Sequence, residues 1–461
     1  MAQIIVSISR YTMIILFAIY VYDAFRVMSP KMSYGKRDVF YTLQAIIVFL
    51  ILTNGYAVLY LKSEDPRILL LYAMEVVFLI LVILVFKYTY QDASKGLINN
   101  MCMLFVVGFI ILCRLDLSKN SEDSIFNYTV KHLIFAVLGL VLTAFIPLFM
   151  KNAAWLKDIP FLYAGVGIIL LASVLLVGNT VNGAKLNIGA GIFSFQPSEF
   201  VKIIFVFFLA SMLSRSDNLM DTLITVAVSM VFFLILVLSR DLGACGIFYI
   251  AFIFMLYTAK QQPLIVILGI GLLFPALFMA DKIMSHVHKR VLAWQDPLSY
   301  AEDQGYQVCQ SLFAIGTGGW FGTGLTEGMP YKIPVVAQDF VFAAISEELG
   351  AAFAICLILV CLSCIFNVFN IALQIPDKFY KLVAFGLGIV YGFQVFLTIG
   401  GVIKFIPSTG VTLPLVSYGG SSLLSTMIIF AIVQGIYVIS SSEDEEEYDR
   451  RRRYYRNRAR R

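Results

Sequence analysis

Four polar clusters interrupt an otherwise apolar chain, and their residue types are those of acid–base and anion chemistry. In VLSRDLGACG, Arg240 and Asp241 stand between two apolar runs. Adjacent residues on a helix point apart, so a local ion pair is poor, and Asp241 is expected to face another group. A carboxylate placed there can take a proton. In FQPSEFVKIIF, Pro197 and Glu199 are ordinary residues for the first turn of a helix. Lys202 is different: it lies one turn deeper in apolar sequence, spaced i,i+3 from Glu199, so that the two can pair. The segment 282–338 carries Arg290 and Trp294 in HKRVLAWQDP, then Tyr306, Gln307 and a run of glycines from Gly316 to Gly324. Asp339 closes that segment, and Glu347 and Glu348 follow about two turns into the next apolar run. In GGVIKFIPSTGVTLPLVSYGGSS, the prolines and glycines forbid a continuous helix. The N–H groups freed there, with a helix start at Ser421 and Ser422, suit a phosphate. A broken transporter helix is the competing reading.

The elements that must position these residues are membrane helices. The chain of 461 residues is 60% apolar and 14% charged with a mean hydropathy of +0.87, which excludes a soluble domain. A bilayer needs about 20 apolar residues per crossing. Thirteen such runs are found, from Tyr11–Val27 to Ser421–Ile439. Loops 29–38, 151–158, 258–262 and 375–381 carry Lys or Arg and fall on one side, as does the tail, which assigns that side to the cytoplasm. The polar clusters then lie in loops 116–131, 178–197, 239–241, 281–339 and 402–420 on the outer side, where the chemistry is expected. The seven cysteines sit in or beside apolar runs and suggest no disulfide or metal framework. The tail, 441–461, is an acidic block followed by a basic one, and such a block is expected to be solvated and disordered. Attraction of its arginines to anionic headgroups, at about 1 kcal/mol per residue, is the sharper alternative.

Taken in order, FQPSEFVK, DLG, GYQVCQSLFAIGTGG, DFVFAAISEELG and PSTGVTLPLVSYGGSS resemble the successive motifs of the shape, elongation, division and sporulation (SEDS) family. The resemblance runs from about Leu97 to Tyr437. It implies an all-α polytopic membrane protein with a ten-helix SEDS core at 96–440, including a large outer loop at 282–338, and here preceded by about three extra transmembrane helices in 1–95. It also implies a peptidoglycan glycosyltransferase of the bacterial cytoplasmic membrane that polymerises lipid II. Its expected partners are a class B penicillin-binding transpeptidase and other membrane proteins of the elongation or division complex; nucleic acid is not among them. Carried over by motif, Asp241 is the catalytic base, and Glu199, Lys202, Arg290, Gln307, Asp339, Glu347, Ser417 and Ser421 are substrate-binding; Arg240, which is not a motif residue, joins the substrate-binding set for its positive charge beside Asp241. The chain departs from the pattern at Lys185 and Asn187, where Arg and Trp are usual, at Arg240, where Pro is usual, and at Lys404, where glycine is usual.

The implied reaction joins a sugar C4 hydroxyl to the anomeric carbon of a second disaccharide, which leaves a polyprenyl pyrophosphate. It needs a base at the hydroxyl and positive charge at the leaving group. Lys202, Arg240, Arg290 or a divalent cation, Mg2+ or Mn2+, can supply that charge, although no diagnostic set of metal ligands is visible. A lipid II transporter and a non-enzymatic scaffold are the rival readings. Transport predicts helix breaks at matching places in two halves, which the chain lacks, and a scaffold has no need of Asp241 or intramembrane glutamates. Residues 1 to about 90 carry no motif, with Glu75 their one deep carboxylate, and are expected to be dispensable for catalysis. The segment 282–338 is expected to be a mobile cover.

Overall fold

The computed structural model describes residues 2–29, 32–90, 93–118, 127–150, 153–181, 184–189, 195–215 and 218–458. Lipid offers no partner to a backbone N–H or C=O, so apolar runs of spanning length satisfy those groups internally as helices. An amino-terminal group comprises α1 (Ala2–Val27), α2 (Tyr34–Ser63) and α3 (Arg67–Thr89). The core follows with α4 (Lys95–Leu117), α5 (Asn127–Met150), α6 (Pro160–Val177), α7 (Pro197–Arg215), α8 (Leu219–Leu238), α9 (Leu242–Lys260) and α10 (Pro263–Ile283). Two shorter helices, α11 (Ser285–Gln295) and α12 (Tyr306–Gly318), precede α13 (Val341–Gln374), α14 (Lys378–Val402) and α15 (Gly420–Arg458). Thirteen helices among the described residues, all but α11 and α12, are long and apolar enough to cross a membrane. The fold is therefore all-α, apart from a small antiparallel hairpin, β1 (Asn179–Val181) and β2 (Ala184–Asn187), between α6 and α7.

At the centre is α4, buried from Gly96 to Asp116 between α2 and α13. Its carboxyl-terminal end carries charge that the surroundings satisfy. Arg114 Nε donates to Glu348 Oε1 at 2.8 Å and Nη2 to the Gly328 carbonyl at 3.1 Å. Asp116 accepts from the backbone N–H groups of Tyr128 and Thr129 and so caps the start of α5. On the periphery, α3, α8 and α10 turn large apolar side chains such as Leu70, Leu234 and Phe274 outward, as lipid contact requires.

Two irregular segments lie against this core. The helix α13 is broken at Gly350, which has φ 87° and ψ 167°. The backbone groups freed by the break pair with the Gly-rich segment: Thr323 N–H donates to the Glu347 carbonyl, Gly324 N–H to the Glu348 carbonyl and Ala351 N–H to the Gly319 carbonyl, each at 2.9 Å. The two backbones meet so closely that a Cβ at Gly322 would lie 2.2 Å from the Glu348 carbonyl oxygen. The second half of 282–338 is thus pinned to α13, and its glycines serve backbone contact rather than a freely moving cover. The other irregular segment, 403–419, reaches the middle of α4, where a Cβ at Gly108 would lie 3.0 Å from the Leu415 carbonyl oxygen. Thr398 Oγ1 donates to the Val411 carbonyl and Tyr418 N–H to the Ala337 carbonyl, so this backbone is satisfied within the protein.

The amino-terminal helices are built into the core. Arg10 Nη1 donates to the Gly322 carbonyl at 2.8 Å, and Tyr20 Oη donates to Asn100 Oδ1 at 2.9 Å. None of the expected site residues lies on these helices, but they cover α4 and brace the Gly-rich segment. Glu75, which accepts from Tyr56 Oη at 2.6 Å, is not their one deep carboxylate, because Asp23 is buried as well. A charge near the end of an apolar run reads as interfacial in sequence, yet the fold buries it. The tail also differs from expectation: α15 continues to Arg458. Glu446 and Arg450, and Glu447 and Arg451, are spaced i,i+4, which favours helix over coil.

Replacing Gly322 by Val should lower stability by more than about 2 kcal/mol, through a backbone clash and a strained positive φ. Gly316→Ala, where the added carbon meets open space on α12, should leave the melting temperature in detergent unchanged or slightly raised. Equal melting of the two variants would contradict this account of the break.

Candidate active site

The turn between α8 and α9 presents Asp241. Arg240 takes φ 63°, a left-handed conformation that a proline, locked near φ −65°, could not adopt. Asp241 then caps α9, its Oδ1 accepting from Ala244 N–H at 3.1 Å, and its Oδ2 accepts from Ser198 Oγ at 2.9 Å. Gln196 Nε2 donates to Ser198 Oγ at 3.2 Å, while Gln196 N–H donates to Ser421 Oγ at 3.0 Å, stitching the start of α7 to the start of α15. Gly243 gives the 403–419 segment room beside Asp241: a Cβ there would lie 2.8 Å from Val411 Cγ2. Burial pushes the Asp241 carboxyl above its ordinary range, while the Ala244 and Ser198 hydrogen bonds pull it back.

One turn deeper, Glu199 and Lys202 pair at 2.5 Å in buried surroundings. Lys202 Nζ also donates to Gln394 Oε1 at 2.7 Å, and Ser425 Oγ donates to Glu199 Oε2 at 2.8 Å. Gln394 Nε2 donates in turn to Ser422 Oγ at 3.0 Å and to the Thr412 carbonyl at 3.2 Å. This is a closed network joining α7, α14, α15 and the irregular segment. The charge of Lys202 is paired within it, so Lys202 helps to hold the site together.

Exposed cations stand above. Arg290, on α11, donates from Nη1 to the Ser408 carbonyl at 3.2 Å. A Cβ at Gly410 would lie 3.5 Å from Arg290 Nη2 and 3.6 Å from Asp339 Oδ2, so the three positions converge. Burial pushes Asp339 up to about 6, against the opposing charge of Arg290. His286 is held below its ordinary value by burial and then by Arg290 and Arg240. Two carboxylates, Asp241 and Asp339, thus lie beneath a rim of guanidinium groups.

The structure gathers Asp241, Glu199, Lys202, Arg240, Arg290, Asp339 and Ser421 at one end of the bundle. Other expected residues serve backbone nearby. Glu347 Oε1 accepts from Met329 N–H at 2.9 Å, and Ser417 Oγ accepts from Leu413 N–H at 3.0 Å within its own turn. Gln307 lies half-buried on α12. Ser198, Gln394, Ser425 and Arg114 were not singled out in the sequence, and Ser422 was read there only as part of a helix start. For Gln394 and Arg114 the signal was present, since each is polar inside an apolar run; the serines gave none. Lys404 takes φ 60°, which explains why a glycine suits its place, and its carbonyl accepts from Trp294 Nε1 at 3.1 Å. Asn187 lies half-buried at the end of the hairpin, and the side chain of Lys185 lies outside the described residues. Among the described residues no three His, Cys, Asp or Glu side chains gather as metal ligands.

The family model for cell cycle proteins of the FtsW/RodA/SpoVE type matches residues 95–442. The chain is 32% identical over 360 residues to the peptidoglycan glycosyltransferase RodA of Mycobacterium tuberculosis (strain ATCC 25618 / H37Rv), covering 74% of this chain and 77% of that protein. It is 34% identical over 328 residues to the stage V sporulation protein E of Bacillus subtilis, covering 67% and 86%. Among solved structures, it is similar to a chain of a peptidoglycan synthase complex with a TM-score of 0.64 at 24% identity, covering 76% of this chain and 98% of that one. Rod shape determining protein RodA of Thermus thermophilus aligns with a TM-score of 0.54 at 23% identity, covering 76% and 97%. The fold is shared with both.

Two outcomes follow from the site's electrostatics. Lys202→Met leaves Glu199 buried without its cation and should cost about 3–5 kcal/mol, while Glu199→Gln in the same chain should recover most of that loss. Melting of Lys202→Met, Glu199→Gln and the double variant in detergent measures it, and additive losses would contradict the pairing. For Asp339, the folded state binds its proton more tightly than the unfolded chain, whose carboxyl titrates near roughly 3.9. That contribution to stability is complete below the unfolded value and is lost as pH rises through about 6. Asp339→Asn should flatten the dependence and Arg290→Gln should move it to higher pH; identical melting profiles from roughly pH 4 to 8 in all three proteins would refute this.

Proposed function

The chain belongs to the FtsW/RodA/SpoVE family, and on that premise we propose that it is a peptidoglycan glycosyltransferase that polymerises lipid II on the outer face of the cytoplasmic membrane, with Asp241 as the base. The observation that carries the reading is the placement of Asp241: fixed at the head of α9 by Ala244 N–H and Ser198, and sharing its end of the bundle with Arg240, Arg290 and Asp339. The loops that bring these groups together are those whose opposite sides carry the Lys and Arg residues of the cytoplasmic face, which supports an outward-facing site.

Asp241 accepts the proton of the acceptor sugar's C4 hydroxyl as its oxygen forms a bond to the donor's anomeric carbon. The bond from that carbon to the pyrophosphate oxygen breaks, and the electron pair leaves with the pyrophosphate. A carboxyl raised by burial is a stronger base than a solvated one, and proton removal of this kind contributes roughly 10²–10⁴-fold. Arg290 and Arg240, exposed at the rim, meet the charge developing on the leaving group. The backbone of 408–411 lies against Arg290 and the start of α9, with the Ser408 carbonyl accepting from Arg290 and Thr409 and Val411 beside Gly243. Among the described residues no three His, Cys, Asp or Glu side chains gather as a site for Mg2+ or Mn2+; Asp241 and Asp339 are the carboxylates here that could hold such an ion, which would offset the charge on the pyrophosphate.

A class B penicillin-binding transpeptidase is the partner that fits this product, because a nascent glycan strand requires crosslinking, and similarity to a chain of a peptidoglycan synthase complex supports the pairing. Elongation, division and sporulation all use the same reaction.

Asp241→Asn keeps the shape and an oxygen that accepts from Ala244 N–H, while its amide NH2 donates to Ser198 Oγ instead of accepting from it, and it cannot take a proton. Purified wild type given labelled lipid II should make glycan, and the variant should make roughly 10²–10⁴-fold less while melting at a similar temperature and still binding lipid II. Wild-type polymer from a folded variant would pass the role of base to Asp339. No polymer from wild type, alone or with a transpeptidase, together with movement of lipid II across vesicles, would replace the enzyme by a transporter.

A further inference from the structure

A polar cavity of about 410 Å³ lies at the end of the bundle opposite Asp241. Helix direction places it there. Asp241 heads α9, whereas the cavity is bounded by the ends of α1 and α13 and the starts of α2 and α4. Ala24, Val27, Arg37, Tyr41 and Gln44 line it from the amino-terminal helices and the larger share of its wall comes from the core, so neither part makes it alone. Arg37 and Gln44 line it together with Asn100, Asn367, Asn370 and Gln374, and among the described residues no Asp or Glu lines it.

The wall has unused donors. Gln44 is fully buried, and its Oε1 accepts from Asn99 Nδ2 at 3.1 Å while its Nε2 has no partner. Arg37 Nη2 donates to the Ser29 carbonyl at 3.0 Å, but its buried Nε has none. A buried donor left unpaired is costly, and an amide that reaches a cavity can be satisfied by a ligand's hydroxyl or phosphate oxygen. A guanidinium group selects phosphate geometry. The amides both donate and accept, as a hydroxyl-bearing group requires. The cavity opens at the first turns of α2, the depth of phospholipid headgroups, where basic pockets between helices take anionic lipids.

We infer that this cavity binds a hydroxyl-bearing phosphate group, with the phosphate on Arg37 and the hydroxyls on Gln44 and the asparagines, and that its occupation ties the amino-terminal helices to the core. A glycerophosphate headgroup and a free polyol phosphate share this chemistry. The full-length protein, stripped of lipid in detergent, is to be titrated separately with phosphatidylglycerol, phosphatidylethanolamine and glycerol 3-phosphate, with native mass spectrometry and thermal melting as readouts. Retention of phosphatidylglycerol over phosphatidylethanolamine, with a rise in melting temperature, supports a lipid ligand. Binding of glycerol 3-phosphate with little lipid preference supports a soluble one. In either case Arg37→Ala should weaken binding about tenfold or more, and Gln44→Leu less. Asn370→Ala, on the exposed rim, provides a third variant should Gln44→Leu fail to fold. Equal retention of both lipids without glycerol 3-phosphate binding, or unchanged binding by Arg37→Ala, overturns the inference. The assay needs neither glycan synthesis nor knowledge of which face is cytoplasmic, so its failure would leave the glycosyltransferase reading standing.

Discussion

The structure depends on one constraint: a backbone N–H or C=O at membrane depth must find its partner inside the protein. Regular helices meet it without help. The two places where this chain abandons the helix, the break at Gly350 and the segment 403–419, meet it only by docking irregular backbone against irregular backbone or against a neighbouring helix. Those two places frame the site. The Gly-rich motif, which in sequence resembles a flexible cover, is the partner that makes the break in α13 tolerable, and Arg114 with Glu348 anchors the same region by a buried ion pair.

A second constraint sorts the charges. Buried ions at this end of the bundle are neutralised: Lys202 by Glu199, and Arg114 by Glu348. Such pairs contribute little net stability, yet breaking one is costly, so they fix geometry rather than react. What is left for chemistry is the partly buried pair of carboxylates, Asp241 and Asp339, beneath the exposed guanidinium groups of Arg240 and Arg290. Site and scaffold are thus separated by hydrogen-bond saturation and not by distance, since Ser198 touches Asp241 while its neighbour Glu199 belongs to the deeper network.

The amino-terminal helices show how an addition outside the region matched by the family becomes part of the fold. They complete the burial of α4, reach the Gly-rich segment through Arg10, and close the polar cavity at the opposite end with Arg37 and Gln44. One addition therefore touches both membrane faces of the core.

By itself the sequence determined the helical spans, because lipid thickness sets their length and hydropathy reads it directly. It also determined the polar clusters at Glu199, Asp241, Arg290 and Asp339, because polar groups in an apolar run have no role in spanning lipid. Only the tertiary structure decided which of them stay reactive. Lys202 and Arg290 are both basic residues of the motifs, yet one is consumed by Glu199 and Gln394 and the other is exposed beside Asp339. Glu347 and Ser417 hold backbone, and Ser198 and Ser425 entered the site unannounced. These roles arise from contacts between elements hundreds of residues apart. A serine satisfying a carboxylate and a serine facing lipid have the same local sequence signal, and the difference lies in what the fold packs against them.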